Sequence, residues 1–134
     1  MAQVIIYTNS NGGVSVCVPT GELPIQTVLT KDCPAGAFIV DEATFPQGAD
    51  AQFFDAWELS GSTVTVNFAK AQAIKLAQYN AAAIVVANER NLNTLAGIAN
   101  AVADADWQAK LTADRASITA ATTTAQLIAI SNPS

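Results

Sequence analysis

Four carboxylates in the first half of the chain, Asp41, Glu42, Asp55 and Glu58, are the side chains best suited to paired chemistry. Such pairs serve as general acid and base or as ligands to a cation. Asp41 and Glu42 are adjacent, and neighbours on an extended strand point to opposite faces, so that pair does not converge on one atom. The four read as a solvated acidic rim. The two cysteines, Cys17 and Cys33, complete the reactive inventory, and there is no histidine anywhere. A metal site from cysteine and histidine is therefore excluded, as is a Ser-His-Asp triad. Cys33 precedes Pro34 and has only Lys31 nearby to stabilise a thiolate, which reads as a reduced structural thiol. Whether Cys17 and Cys33 ever pair is left open by the residues. Asn11-Gly12-Gly13 is not followed by the helix that a phosphate-cradling loop requires. The expectation is a protein that is not an enzyme, with no catalytic residues, no metal and no cofactor.

What must position these residues is divided by a change of character near Asn67. Residues 1–67 carry seven acidic side chains against Lys31 alone, a net of −6, while residues 68–134 set five basic against four acidic, a net of +1. Charged residues make up 13% of the 134, about half the usual ~25%. So few charges leave a surface of Ala, Thr, Asn, Gln and Ser, which suits contact with another protein. The net charge of −5 and the lack of a Lys/Arg cluster argue against nucleic-acid binding. Met1-Ala2-Gln3 leads straight into a β-type run, and the longest later apolar run, Ala81 to Ala87, is far short of a bilayer span. A cytoplasmic product that does not engage membranes is expected.

The fold class read from the pattern is α+β: an N-terminal antiparallel subdomain, 1–67, and an alanine-rich helical subdomain, 68–134, in one compact chain. Val4-Ile5-Ile6-Tyr7 and Val14 to Val18 flank Asn9 to Gly13, which predicts a hairpin with a loop of about five residues. Thr20 as N-cap and Pro24 near the first turn predict a short helix over Leu23 to Lys31. Phe38-Ile39-Val40 predicts a third strand. Alternation in Phe53 to Leu59, then Ser60-Gly61-Ser62 and Thr63 to Val66, predicts a second hairpin and one sheet of four or five strands. Ile5, Val16, Val28, Ile39, Trp57 and Val66, or their immediate neighbours, are the predicted core.

Asn67 is a predicted cap for a long helix from Phe68, either continuous or kinked near Asn91. A second helix is predicted from Asp106 as N-cap to about Thr119. A capping box at Thr123 to Gln126 then opens a short last helix, followed by a frayed tail from Ser131. Along the long helix Ile74, Ala81, Asn88, Leu95 and Val102 recur every seven residues, with Gln78, Val85, Leu92 and Ala99 between them. Such a stripe is the seam of helix pairing. Two readings stand: packing of the helix inside its own chain, or an interface with another chain. The candidate interface is Ile74, Ala81, Val85, Asn88, Leu92, Leu95 and Val102, joined by Trp107 because it lies in the sparsely charged half.

Four blocks in order carry a resemblance. They are Val4 to Asn9 with Gly12 to Val16; Lys31 to Gly36 with Ile39-Val40-Asp41; Phe53 to Glu58; and Val66 to Ala71. This succession, covering roughly residues 3 to 75, resembles a group of small tailed-bacteriophage proteins encoded beside tail or tail-fibre genes, described as tail proteins or tail-fibre assembly chaperones. Such proteins typically follow the last block with an Arg-rich helix, whereas here Lys75, Arg90, Lys110 and Arg115 are sparse. The resemblance implies a non-enzymatic role in virion morphogenesis, with a phage tail or tail-fibre protein or further copies of the chain as partner. It implies a place in the host cytoplasm during assembly or in the virion tail. An assembly chaperone and a permanent component of tail, fibre or baseplate are both open; a small ligand-binding domain is a remote alternative.

Overall fold

The computed structural model describes residues 2–134. The fold is α+β, with antiparallel sheets first and helices after them. The chain divides into two compact units, residues 1–67 and 68–134.

In the first unit, β1 (Gln3–Thr8) lies between β2 (Val14–Cys17) and β3 (Phe38–Asp41), antiparallel to both. The β1–β2 turn is organised by Asn9, whose side-chain oxygen accepts from the backbone N–H groups of Asn11 and Gly13, both at 3.0 Å. Gly12 there has φ +80°, a conformation that costs glycine least. The predicted single sheet of four or five strands is instead two sheets. β4 (Trp57–Ser60) and β5 (Thr63–Val66) pair only with each other and lie over β1 and β2 as a second layer. Their contact is apolar: Val4, Ile6 and Val14 meet Trp57 and Val64, with Val16, Val40, Phe45, Leu59 and Val66 around them.

Of the predicted core, Ile5 and Trp57 are buried, and Val16 and Val66 pack partly buried against the cluster that Val4 and Ile6, the neighbours of Ile5, form with Trp57. Ile5 is fully buried but alternates to the other face, where α1 (Ile25–Asp32) lies along β1 and β3. Val28 and Ile39 are half-buried. The helix starts two residues later than predicted, with Pro24 rather than Thr20 as its N-cap. Phe53 to Ala56 is not strand. The Phe53 N–H bonds to the Asp50 carbonyl and the Ala56 N–H to that of Phe53, forming tight turns over Gly48–Gln52 and Phe54–Ala56. Those turns bring the Trp57 indole N–H within 3.1 Å of the Asp50 carbonyl and place Phe45 and Phe54 against its ring.

The second unit is helical. α2 (Phe68–Leu95) runs 28 residues without a break at Asn91. It ends where Gly97 takes φ +74°; Ile98 N–H returns to the Asn93 carbonyl and Gly97 N–H to that of Thr94, a Schellman closure. α3 (Asp104–Ala120) begins two residues before the expected cap, with Ala103 as N-cap and Asp104 and Asp106 both inside the first turn. There the two carboxylates face the positive end of the helix dipole. α4 (Thr124–Ala129) is capped by Thr123, whose hydroxyl accepts from Gln126 N–H at 3.2 Å. Gln126 returns to the N–H of Thr122, one residue before the cap that a capping box would use.

α3 returns antiparallel along α2: Gln72 reaches the carbonyls of Ile118 and Thr119, Tyr79 meets Asp114, and Arg90 meets Asp104. Ala71, Lys75, Tyr79, Ala83 and Val86 are the buried positions of α2, at a spacing of four, four, four and three. The small alanines let the helices approach closely around one large ring.

Candidate functional site

The seam predicted along α2 and the buried stripe of α2 are different faces. At 3.6 residues per turn their centres stand roughly 140° apart around the axis. Ile74 is half-buried, and Ala81, Val85, Asn88, Leu92 and Leu95 are exposed. Val85, Leu92 and Leu95 present 58%, 63% and 76% of their surface, and Ile84 beside them 62%. Val102 is exposed but not part of this stripe, because the helix stops at Leu95 and the Gly97 turn places Val102 in the connection to α3. Ala99 lies in the same connection.

Between Lys70 and Glu89 the only charged side chain of α2 is Lys75. Lys75 is turned inward, 6% exposed, and donates to the Ile130 carbonyl and to Asn132 Oδ1. Four turns of helix thus show no charge outward. The same lysine holds the segment after α4, which the sequence predicted to fray.

Trp107 sits at the start of α3, half-buried, with the Arg90 guanidinium 5.1 Å above its ring. Arg90 also donates to the Val102 carbonyl and to Asp104. A groove of about 290 Å³ lies beside them, lined by Ala87, Asn91, Thr94 and Gln108 among others. The guanidinium there is already engaged by a carbonyl, a carboxylate and an aromatic face, so the groove offers no free cation to an anionic ligand.

Sequence reasoning missed the Lys75–Tyr79–Asp114 cluster. Tyr79 is fully buried and its hydroxyl donates to Asp114 Oδ2 at 2.6 Å; Lys110 donates to the same oxygen at 2.6 Å. Burial alone would push the Asp114 carboxyl up, but the Lys110 and Tyr79 hydrogen bonds and the charges of Lys110 and Lys75 outweigh it and hold it below its ordinary value. Burial lowers Lys75, against the pull of Asp114. Burial and the bond to Asp114 push Tyr79 up to about 12. The spacing Ala71-Lys75-Tyr79-Ala83, one position every fourth residue, was a signal available in the sequence.

This arrangement makes stability alkali-sensitive. Above pH 10 the unfolded chain releases the Tyr79 proton while the folded chain keeps it to about 12, so stability present below pH 10 is lost through that window. At 1.36 kcal/mol per unit, the loss is about 2–3 kcal/mol. Lys75 works in the opposite direction below its ordinary value, so the measurement must isolate the tyrosine. Wild type is expected to be more stable than Tyr79→Phe near neutrality, with the gap in thermal midpoint closing or reversing at alkaline pH. A gap unchanged across that range contradicts the assignment.

The candidate chemical residues do not assemble. Asp41 accepts from Ala43 N–H at 2.9 Å and so caps a turn, and Glu58 Oε1 accepts from Asn67 Nδ2 at 2.8 Å. Cys17 and Cys33 are free, half-buried thiols; burial and then the adjacent Cys17 push the Cys33 thiol up, away from the reactive thiolate. Among the described residues no group of three or more His, Cys, Asp or Glu side chains is placed to hold a metal ion. Among them, too, no helix is long and apolar enough to cross a membrane.

Fold and site together describe an α+β chain with a long, uncharged, outward helix face. No protein-family model, curated protein or solved structure matches the chain.

Proposed function

We propose that the chain is a non-enzymatic bacteriophage tail morphogenesis protein, acting on or as part of the tail or tail fibre through protein–protein contacts. The observation that carries the contact mode is the α2 face from Ile74 to Leu95, apolar apart from the amides Gln78 and Asn88, free of outward charge from Ile74 to Asn88, and exposed at Val85, Leu92 and Leu95. The tail context is carried by the order of the four resembling blocks. They fall on the β1–β2 hairpin, the end of α1 with β3, the turn leading into β4, and the junction of β5 with α2.

Deleting the gene from the phage that encodes it is expected to leave particles with missing or defective tails or fibres. Mass spectrometry of purified wild-type particles separates the two forms of the proposal: absence marks an assembly chaperone, stoichiometric presence a structural component. Normal tails and normal infectivity after deletion overturn both.

A further inference from the structure

From the placement of the two cysteines we infer that Cys17 and Cys33 form a reversible disulfide within the chain, a redox-closed staple tying the end of α1 to β2. The inference is independent of any role in tails. Strand register places the first sulfur. Cys17 pairs with Ile5 and Ile5 with Ile39, so the three form one row across the sheet. Val4, Ile6 and Val16 point to the β4–β5 layer, and the alternate residues of that row therefore point to the opposite face, along which α1 lies. Cys33 is the residue that ends α1. The last turn of the helix comes down beside the row: a cavity of about 260 Å³ is lined by Cys17 together with Val28 and Asp32 of α1. After burial, the strongest influences on the Cys33 thiol are the charge and the hydrogen bond of Cys17, which act only between groups lying side by side. Both thiols are reduced and half-buried, within reach of a small oxidant.

The staple falls where the first unit is held least. α1 has no fully buried residue and no side-chain hydrogen bond at its Pro24 cap, and Ile25, Val28 and Leu29 are only half-buried. A helix so held opens locally at low cost, which lets the two cysteines settle into disulfide geometry. The bond encloses residues 18–32, the whole of α1 with the connection before it, and stabilises the fold by restricting the unfolded chain. The oxidant is a soluble disulfide such as oxidised glutathione. One protein thiolate attacks it, forming a mixed disulfide and releasing one glutathione thiol; the second protein thiolate then displaces the other glutathione. The protein gives up two protons and two electrons, and the two glutathione thiols carry them away. The open dithiol is the form that a reducing cytoplasm favours, and the closed disulfide that of oxidising surroundings.

The test equilibrates the full chain with mixtures of reduced and oxidised glutathione, blocks the remaining thiols by alkylation and digests with trypsin. Trypsin cuts after the exposed Lys31, between the two cysteines. The closed chain is expected to be two hydrogens lighter than the reduced one and to yield residues 1–31 joined by a disulfide to residues 32–70. In urea the effective concentration of one thiol at the other should be on the order of millimolar, as for a short flexible loop. The native chain is expected to exceed its own value in urea at least tenfold. By linkage the same ratio measures how far the bond stabilises the folded unit, so amide hydrogens of α1 should exchange more slowly in the closed form. Cys33→Ser, with circular dichroism matching wild type, is expected to stop at one glutathione adduct on Cys17 and to leave α1 exchange unchanged. A native effective concentration no higher than in urea overturns the staple; so do glutathione adducts that persist on wild type or cross-links between chains. Equal slowing of α1 exchange in oxidised Cys33→Ser overturns it as well, because that effect needs no bond to Cys33.

Discussion

Replacing Tyr79 by alanine is expected to unfold the helical unit at room temperature. The side chain is the largest of those fully buried, and it is the one large ring in a stripe whose neighbours are Ala71, Lys75, Ala83 and Val86. Truncating a buried aromatic costs about 3–5 kcal/mol, because alanines on either side cannot collapse into the space. The change also takes away the hydroxyl that donates to Asp114, leaving that carboxylate with Lys110 alone of its two hydrogen-bond donors. Hydrogen bonds to charged groups contribute about 1.5–3 kcal/mol. Together these approach the whole stability of a small domain, about 5–15 kcal/mol. Circular dichroism at 222 nm reads the result: the helical signal should fall sharply in Tyr79→Ala and survive in Tyr79→Phe. An alanine variant that melts like wild type would mean that the ring does not hold α2 to α3.

The α+β order and the long helix were legible because their signals are local. Asn9 to Gly13 between two β-branched runs, and the unbroken run of helix formers after Asn67, specify hairpin and helix within a few residues. The stretch from Phe53 to Leu59 misled for the same reason. Its alternation fits a strand, but Asp50 and Phe53 carbonyls capture the N–H groups of Phe53 and Ala56, and strand begins only at Trp57. Placing the β4–β5 hairpin as a second layer required knowing that Trp57 and Val64 meet Val4 and Ile6 across more than fifty residues of chain. No local pattern carries that.

On α2 the seven-residue spacing located a real apolar face but not its partner. An alanine-rich helix is apolar nearly all round, so the buried and outward stripes look alike in sequence. What separates them is one ring and two charges, Tyr79 with Asp114 and Lys75, which meet only when α3 folds back. Gly97 was visible as a weak point; that it closes the helix and removes Val102 from the stripe depends on the carbonyls of Asn93 and Thr94.

Placing arginine at Val85 is expected to abolish function while the protein stays folded. Val85 lies mid-seam, 58% exposed, with Ala81 one turn before it and Leu92 two turns after. Glu89, one turn on at i+4, can pair with a guanidinium there at the edge of the seam, but any partner covering the seam must still desolvate the charge and make room for a bulky side chain in place of valine. Burying a charge at the centre of an interface costs about 2 kcal/mol or more, on the order of thirtyfold in affinity. Folding is spared because the side chain points away from Tyr79 and Val86, and exposed helix positions accept arginine at little cost.

For the proposed tail role, the decisive measurement is complementation of a phage lacking the gene, scored by infectious titre and by electron microscopy of tails. Ser117→Arg on the exposed part of α3 serves as the control, and circular dichroism confirms that both proteins are folded. Under that proposal wild type and Ser117→Arg are expected to restore tailed, infectious particles, while Val85→Arg gives the titre and morphology of the deletion. Full rescue by folded Val85→Arg would contradict it.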